Sequence, residues 1–344
     1  MTENQFFADL EQSIGNVKPE NIFILTDSNT EKYCLPYLLR YNRLNGSKII
    51  TIPHGDENKT IESASLVWKF LSENGATRRS LMLNLGGGMI TDIGGFCAAT
   101  FKRGIAYINI PTTLLGAVDA ATGGKTGVNF LGLKNEIGVF APPEKTLFNV
   151  DFFKTLDKKN LLSGYAEMLK HALLSTKDLW NETLSFNPEN PDFEQLNQLL
   201  IKNVAIKENI VTRDPKEHGL RKALNLGHTF GHAFESFSYR NAKPLLHGYA
   251  IMFGLICELY LSFIKLNFPK EELLKIKYLA REFYENPEFL CNNYDSLYEL
   301  MTHDKKNETE EINFTLLADI GDIHINQTAA KEEIFECFDY LREG

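Results

Sequence analysis

The sequence predicts an α/β N-terminal domain with a parallel sheet over residues 1–150, followed by a mainly α-helical domain over 151–344. Three observations carry that prediction. Short apolar runs alternate with helical periodicity in the first half, three consecutive glycines separate one such run from a helix, and beyond about residue 150 the pattern changes to long helices with charged faces. A chain of 344 residues accommodates two cores of ordinary size.

The apolar runs are IFILT at 22–26, KIITI at 48–52, LMLNL at 81–85 and AYINI at 106–110, with a periodic stretch at 62–74 and another helix after Gly88. Strands and helices in this order build a parallel sheet covered by helices, and such sheets bind nucleotides at the carboxyl ends of their strands. Gly86, Gly87 and Gly88 stand at one of those ends. Their backbone N–H groups can approach a pyrophosphate while the helix dipole favours the anion, although a purely structural tight turn accounts for three glycines equally well. Asp27 and Asn29 follow the first strand, Asp56 and Lys59 the second; Asp92 lies one turn into the helix, and Thr112 and Thr113 follow Pro111. Each also suits a plain role as cap or turn residue. Residues 116–138 hold six glycines, two lysines, one Asp and two Asn. That composition reads as a long loop without regular structure, a kind of segment that is usually functional, and Lys125 beside Gly123 and Gly124 suits a phosphate or hydroxyl-rich ligand.

In the second half, 193–211 and 271–285 have helical periodicity, EINFTLL at 311–317 is β-like, and a final helix is expected over 331–341. The most apolar stretch, 249–264, contains Glu258 and is about a turn short of a bilayer span, so a buried helix is expected and no membrane partner. In NLGHTFGH at 225–232, His228 and His232 project from one helical face and can converge on one ion. His247 is a third candidate and Glu167 a carboxylate donor, together an N/O set that suits zinc; a structural H-x-x-x-H is the alternative. Lys170 follows Glu167 by one turn.

A formal charge of −9 argues against a nucleic-acid partner, which usually calls for clustered Lys and Arg and a basic balance. An anionic substrate therefore needs a local positive field, which Arg103, Lys207, Arg213 and Arg221 can supply. The five cysteines lack C-x-x-C spacing, and the first residues lack a basic-then-apolar export signal; both point to reduced thiols and a cytoplasmic protein.

The runs GGGMITDIGGFCAATFKRG, IPTTLLGAVDAATGGKTGVNF, LGLKNEIG, SGYAEMLKH, GLRKALNLGHTFGHAFE, LLHG and DKKN occur in the order seen in 3-dehydroquinate synthases, and the resemblance spans nearly the whole chain. It implies a dehydroquinate synthase-like fold with a Rossmann-like NAD-binding first domain and a metal- and substrate-binding second domain. It also implies conversion of 3-deoxy-D-arabino-heptulosonate 7-phosphate to 3-dehydroquinate and phosphate, with catalytic NAD and a divalent ion, zinc or cobalt. By the same resemblance NAD is held by Asp27, Asn29, Asp56, Lys59, Gly87, Gly88, Asp92, Thr112, Thr113 and Lys134. The metal ligands become Glu167, His228 and His247, and His232 moves to the substrate, against the symmetric pair that spacing suggests. Arg103, Asp119, Lys125, Asn135, Lys170, Lys207, Arg221, Asn225, His232 and Lys306 are implied to bind substrate, with Lys125, His232, Lys170, Asn135 and Arg221 in catalytic roles. Arg103 resembles a residue lent across a homodimer interface.

The chain departs from the family pattern in three places. Tyr249 stands where Glu is common, His171 where an uncharged residue is usual, and the stretch between His232 and His247 is a few residues longer. Tyr249 bears on how His247 is tuned, because outer-shell groups adjust metal affinity. A related cyclase acting on a substrate without a carboxylate is disfavoured by Lys207, Arg221 and Asn225, since a neutral substrate would leave Arg221 unpaired. A polyol dehydrogenase on a similar fold would have no need of Lys125, Lys170 and Lys207 together.

Overall fold

The structure is a computed structural model and describes residues 3–131, 133–285, 287–302 and 312–343. Its residues group into two compact units, Met1–Asp157 with Phe193–Val204, and Lys158–Asp192 with Ala205–Gly344. The segment Phe193–Val204 thus groups with the first unit although it lies beyond the boundary at residue 150.

The first unit contains α1 (Glu3–Ile14), β1 (Ile22–Asp27), α2 (Ser28–Tyr33), α3 (Leu35–Leu38), β2 (Lys48–Ile52), α4 (Ile61–Glu73), β3 (Leu81–Gly86), α5 (Gly88–Thr100), β4 (Ala106–Pro111), β5 (Lys125–Phe130), β6 (Leu133–Phe140) and β7 (Lys145–Thr146). Five strands form a parallel sheet in the order β2-β1-β3-β4-β7. Every residue of β1 and β3 is buried, as expected of central parallel strands covered on both faces, and this is why they read as unbroken apolar runs. Phe23, Leu25 and Met82 of the sheet pack with Val67 and Leu71 of α4 and Ile93 of α5 in one core.

Residues 116–138 correct the expectation of an irregular loop. Gly116–Ala120 forms a π-type turn, and β5 and β6 pair as an antiparallel hairpin. Gly127 and Gly138 face each other across it, and a Cβ on either would fall 2.5 or 2.3 Å from a carbonyl oxygen of the opposite strand. Glycine allows that approach and also removes the side-chain alternation by which a strand is recognised.

The second unit contains α6 (Lys158–Leu173), α7 (Lys177–Leu184), the last part of α8 (Phe193–Arg213), α9 (His228–Arg240), α10 (His247–Leu266), α11 (Lys270–Phe283), α12 (Tyr294–Thr302), β8 (Phe314–Asp319), β9 (Asp322–Gln327) and α13 (Lys331–Glu343). The β-like segment is thus one arm of an antiparallel hairpin, whose other arm the sequence reading missed. Helix α10 is long and apolar enough to cross a membrane, yet 72% of its most apolar window is buried inside the protein, against α6, α9, α13 and β8. Two glycines let it approach its neighbours at backbone distance. A Cβ on Gly248 would sit 1.9 Å from the Ser163 carbonyl oxygen of α6, and one on Gly254 1.9 Å from the Gly227 carbonyl oxygen at the start of α9.

Because backbone cannot yield as a flexible side chain can, Gly254→Ala is expected to destabilise the protein by at least about 1–3 kcal/mol, the usual penalty for overpacking. Equilibrium denaturant unfolding measures this, and an unchanged midpoint would contradict the close crossing of α9 and α10.

Candidate nucleotide and metal sites

In the first unit the candidate nucleotide residues gather at the carboxyl ends of the strands. Asp27, the last residue of β1, caps α2: its Oδ1 accepts from the backbone N–H groups of Asn29 (2.9 Å) and Thr30 (3.0 Å), and its Oδ2 from the Thr30 hydroxyl (2.9 Å). Asn29 itself is exposed. Where β3 turns into α5, Gly87 is the residue before the helix, and the Thr112 N–H donates to the Gly86 carbonyl at 2.9 Å. A Cβ on Gly87 would lie 3.0 Å from Thr113 Cγ2, and one on Gly88 3.0 Å from Ala120 Cβ, so the turn has little room for side chains. The first N–H groups of a helix have no partner within it, and such a bare turn is suited to a diphosphate.

Asp56, Lys59, Asp92 and Lys134 form a charged chain. Lys59 Nζ lies 2.9 Å from Asp92 Oδ2 and 3.7 Å from Asp56 Oδ1, and Lys134 Nζ lies 3.3 Å from Asp56 Oδ2. Burial works against the Lys59 ammonium, but Asp92 and Asp56 outweigh it and raise its pKa. Asn129, which the sequence reading did not single out, joins the cluster: its Nδ2 donates to the Asp56 carbonyl (3.0 Å) and its Oδ1 accepts from the Asn135 N–H (2.9 Å). Asn135 is exposed at φ 51°, Lys125 is exposed at the head of β5, and Asp119 is half-buried in the π-type turn. Arg103 is exposed at φ 67°, directly after Lys102 at φ 51°. Two consecutive left-handed non-glycine residues are costly, and such strain concentrates at functional positions.

In the second unit α6 carries Glu167 and Lys170, α9 carries His228 and His232, and His247 opens α10. Glu167 Oε1 lies 3.7 Å from His228 Nε2 and 3.5 Å from His247 Nε2, and the three donor atoms all fall within 4.8 Å of one another. A tetrahedral ion with bonds of about 2.0–2.1 Å holds its ligands roughly 3.4 Å apart, so this N/O set fits zinc or a similar divalent ion with little adjustment. His232 has its ring 5.3 Å from that of His228 but does not belong to the three-residue group. His228 Nδ1 lies 3.1 Å from the Leu226 carbonyl, which leaves Nε2 facing Glu167.

Glu167 is fully buried and its Oε2 pairs with Lys170. His247 Nδ1 lies 3.4 Å from Glu235 Oε2, so this imidazole stands between two carboxylates. Burial works against its charge, but Glu235 and Glu167 outweigh that and raise its pKa from 6.5 to about 10. The site therefore favours a bound positive charge.

Lys207, on α8, and Arg221 are buried, and Asn225 is half-buried. Arg221 is presented by a turn closed by hydrogen bonds to Asp214. Asp214 accepts from the backbone N–H groups of Arg221 (3.0 Å), Gly219 (2.7 Å) and His218 (3.0 Å), which together lower its pKa. The Arg221 guanidinium donates to the Pro215 carbonyl at 2.8 Å, and Asn225 Nδ2 donates to Glu217 Oε1 at 3.2 Å. Arg213 ends α8, exposed. Lys306 lies outside the described residues. Asp214 and Glu235 were missed in the sequence because an acid in a polar turn or on a helix face gives no sign of what it will meet.

Residues 49–163 match the sequence model of the 3-dehydroquinate synthase N-terminal region, and residues 164–307 that of the C-terminal region. Over 337 residues the chain is 50% identical to the 3-dehydroquinate synthase of Parabacteroides distasonis, covering 98% of this chain and 96% of that one. A 2-epi-5-epi-valiolone synthase from Streptomyces hygroscopicus, solved with NAD+ and Zn2+ bound, superposes with a TM-score of 0.83 at 26% identity, covering 93% of this chain and 90% of its own. A 2-deoxy-scyllo-inosose synthase solved with carbaglucose-6-phosphate, NAD+ and Co2+ has a TM-score of 0.84 at 23% identity, covering 97% and 95%, a likeness of fold. With both halves matched in order and half of all residues shared with a relative along nearly its full length, the chain belongs to the 3-dehydroquinate synthase family.

Proposed function

We infer that the chain is a 3-dehydroquinate synthase, which converts 3-deoxy-D-arabino-heptulosonate 7-phosphate to 3-dehydroquinate and phosphate with catalytic NAD and a divalent metal. The observation that carries this reading is the 50% identity, over nearly the whole of both chains, to a relative of that name. The finer assignments are our own: zinc as the metal, with cobalt as its substitute, a homodimer, a cytoplasmic location, and division into a nucleotide domain over 1–150 and a metal and substrate domain over 151–344.

When bound, NAD takes up and returns a hydride and the divalent ion polarises substrate hydroxyl oxygens, so that no net redox change results. The protein's residues supply binding, orientation and charge. In the first unit, Asp27, Asn29, Asp56, Lys59, Gly87, Gly88, Asp92, Thr112, Thr113 and Lys134 hold the dinucleotide. The buried Lys59, kept cationic by Asp92 and Asp56, fixes these acids relative to each other. Asp119, Lys125 and Asn135 of the same unit bind substrate, and Arg103 reaches the substrate phosphate of a partner subunit. In the second unit Glu167, His228 and His247 hold the metal, and Lys170, Lys207, Asn225, His232 and Lys306 bind substrate. Arg221 clamps the substrate carboxylate, for which a planar guanidinium offers two parallel donors.

The first test supplies purified protein with NAD, zinc or cobalt, and the heptulosonate phosphate, and follows phosphate, dehydroquinate and NADH separately. Phosphate and dehydroquinate are expected in equal amounts without accumulated NADH; steady NADH release on polyols would move the protein among the dehydrogenases. Glu167→Ala, His228→Ala and His247→Ala are each expected to lose metal and turnover together, whereas Lys125→Ala keeps its metal. Metal analysis decides this, and a fully loaded but inactive His228→Ala would remove that ligand.

His247 gives a pH signature. A folded-state pKa near 10, above the ordinary 6.5, means that the metal-free fold favours the charged imidazole. The stability it lends is complete below about pH 6.5 and fades as pH rises through about 10. Metal must displace this proton, so uptake at pH 7.5 is expected to release about one proton from His247, and affinity rises with pH. Calorimetry in buffers of different ionisation enthalpy measures the release, and uptake without proton release would contradict the raised imidazole.

A further inference from the structure

Glu258 lies in the middle of α10, fully buried within the most apolar helix of the described chain. A carboxylate there is costly unless its oxygens are satisfied. Its Oε2 accepts from the Gly227 N–H at 2.7 Å and its Oε1 from the Thr229 N–H at 3.1 Å, so the two contacts bracket His228. Helix α9 begins after Gly227, which has no side chain with which to cap it and holds φ at +78°. The cap is supplied instead by Glu258 from the neighbouring helix, and a negative charge at a helix N-terminus also suits its dipole.

This cap continues into the pose of His228. The turn held by Glu258 carries the Leu226 carbonyl, which lies 3.1 Å from His228 Nδ1 and so leaves Nε2 toward Glu167. One turn before Glu258, Gly254 abuts the Gly227 carbonyl and fixes the crossing point. One turn after it, Ser262 Oγ donates to the Glu258 carbonyl (2.7 Å) and accepts from the Leu317 N–H (3.0 Å), tying this part of α10 to β8. We propose that Glu258 is a positioning residue of the metal centre, which sets the orientation of His228 through the backbone on either side of it and thereby the strength with which the metal is held. This rests on the assignment of His228 as a ligand.

The test is a titration of the metal-free, full-length protein with Co2+, read by chelator competition and by the visible absorption of the bound ion. Glu258→Gln, which keeps shape but loses the charge and one acceptor, is expected to weaken Co2+ binding about 10- to 100-fold and to change the spectrum, as loss of outer-shell support does, while NAD affinity stays unchanged. Glu272→Gln is the control. That carboxylate is also buried in the same unit, where it accepts from Trp180 Nε1 (2.7 Å) and Lys275 (2.9 Å), and its variant is expected to lose thermal stability but keep Co2+ affinity. A folded Glu258→Gln with the parent affinity and spectrum overturns the proposal, and so does a Glu272→Gln that weakens binding equally. Glu258→Ala should weaken binding further, and should it fail to fold, the Gln variant decides. His228→Ala separates the two levels: if it retains metal, the ligand assignment itself falls, whereas if it loses metal and Glu258→Gln does not, only the role of Glu258 falls.

Discussion

A carboxylate taken entirely out of water has to be met by hydrogen-bond donors or positive charge, and Glu167, beside a lysine and two imidazoles, imposes that condition on the helical unit. It is fully buried on α6, with Lys170 on one oxygen and the imidazoles of His228 and His247 near the other. Glu235 adds a second carboxylate behind His247. The arrangement therefore holds a cation whether or not a metal is bound, and the raised pKa of His247 is the expression of this in the metal-free protein. A divalent ion among the same donors would satisfy Glu167 directly and take the place of the His247 proton.

Such a site works only if three elements hold their side chains to within a fraction of an ångström, and backbone packing provides this. Helix α10 meets α6 at Gly248 and the start of α9 at Gly254, in each case with no space for a single carbon. One helix thus registers both partners at once, and places its own first residue, His247, against them. In the first unit the glycines serve differently: a Cβ on Gly87 or Gly88 would meet a side chain at 3.0 Å, and the absence of their side chains leaves the start of α5 open to an anion.

The parallel sheet was legible because strands buried on both faces must be apolar throughout, as IFILT and LMLNL are. The hairpin β5–β6 was not, since Gly127 and Gly138 remove the alternation by which a strand shows itself, and β9 is a half-exposed arm whose pairing with β8 is a tertiary fact. Spacing alone favoured His228 and His232 as a pair, since residues four apart share a helical face. In the fold Glu167 and His247 approach His228 from two other helices, and His232 is not part of the group these three form. Glu258 was visible as the one acid in an apolar stretch, but its partners are backbone N–H groups of another helix, which no pattern in its own segment encodes.

The same reasoning accounts for Tyr249, where a Glu is usual in the family. Tyr249 is buried, with its ring 4.9 Å from that of Tyr284, whose hydroxyl donates to the Leu162 carbonyl of α6 at 2.8 Å. It is therefore core material that supports the seat of α10 on α6. The carboxylate facing His247 Nδ1 comes instead from Glu235 on α9, the helix that also carries His228. What tunes a metal-ligating imidazole is a carboxylate at its second nitrogen, from whatever element supplies it. Glu235 supplies that acid from α9, whatever residue stands at position 249.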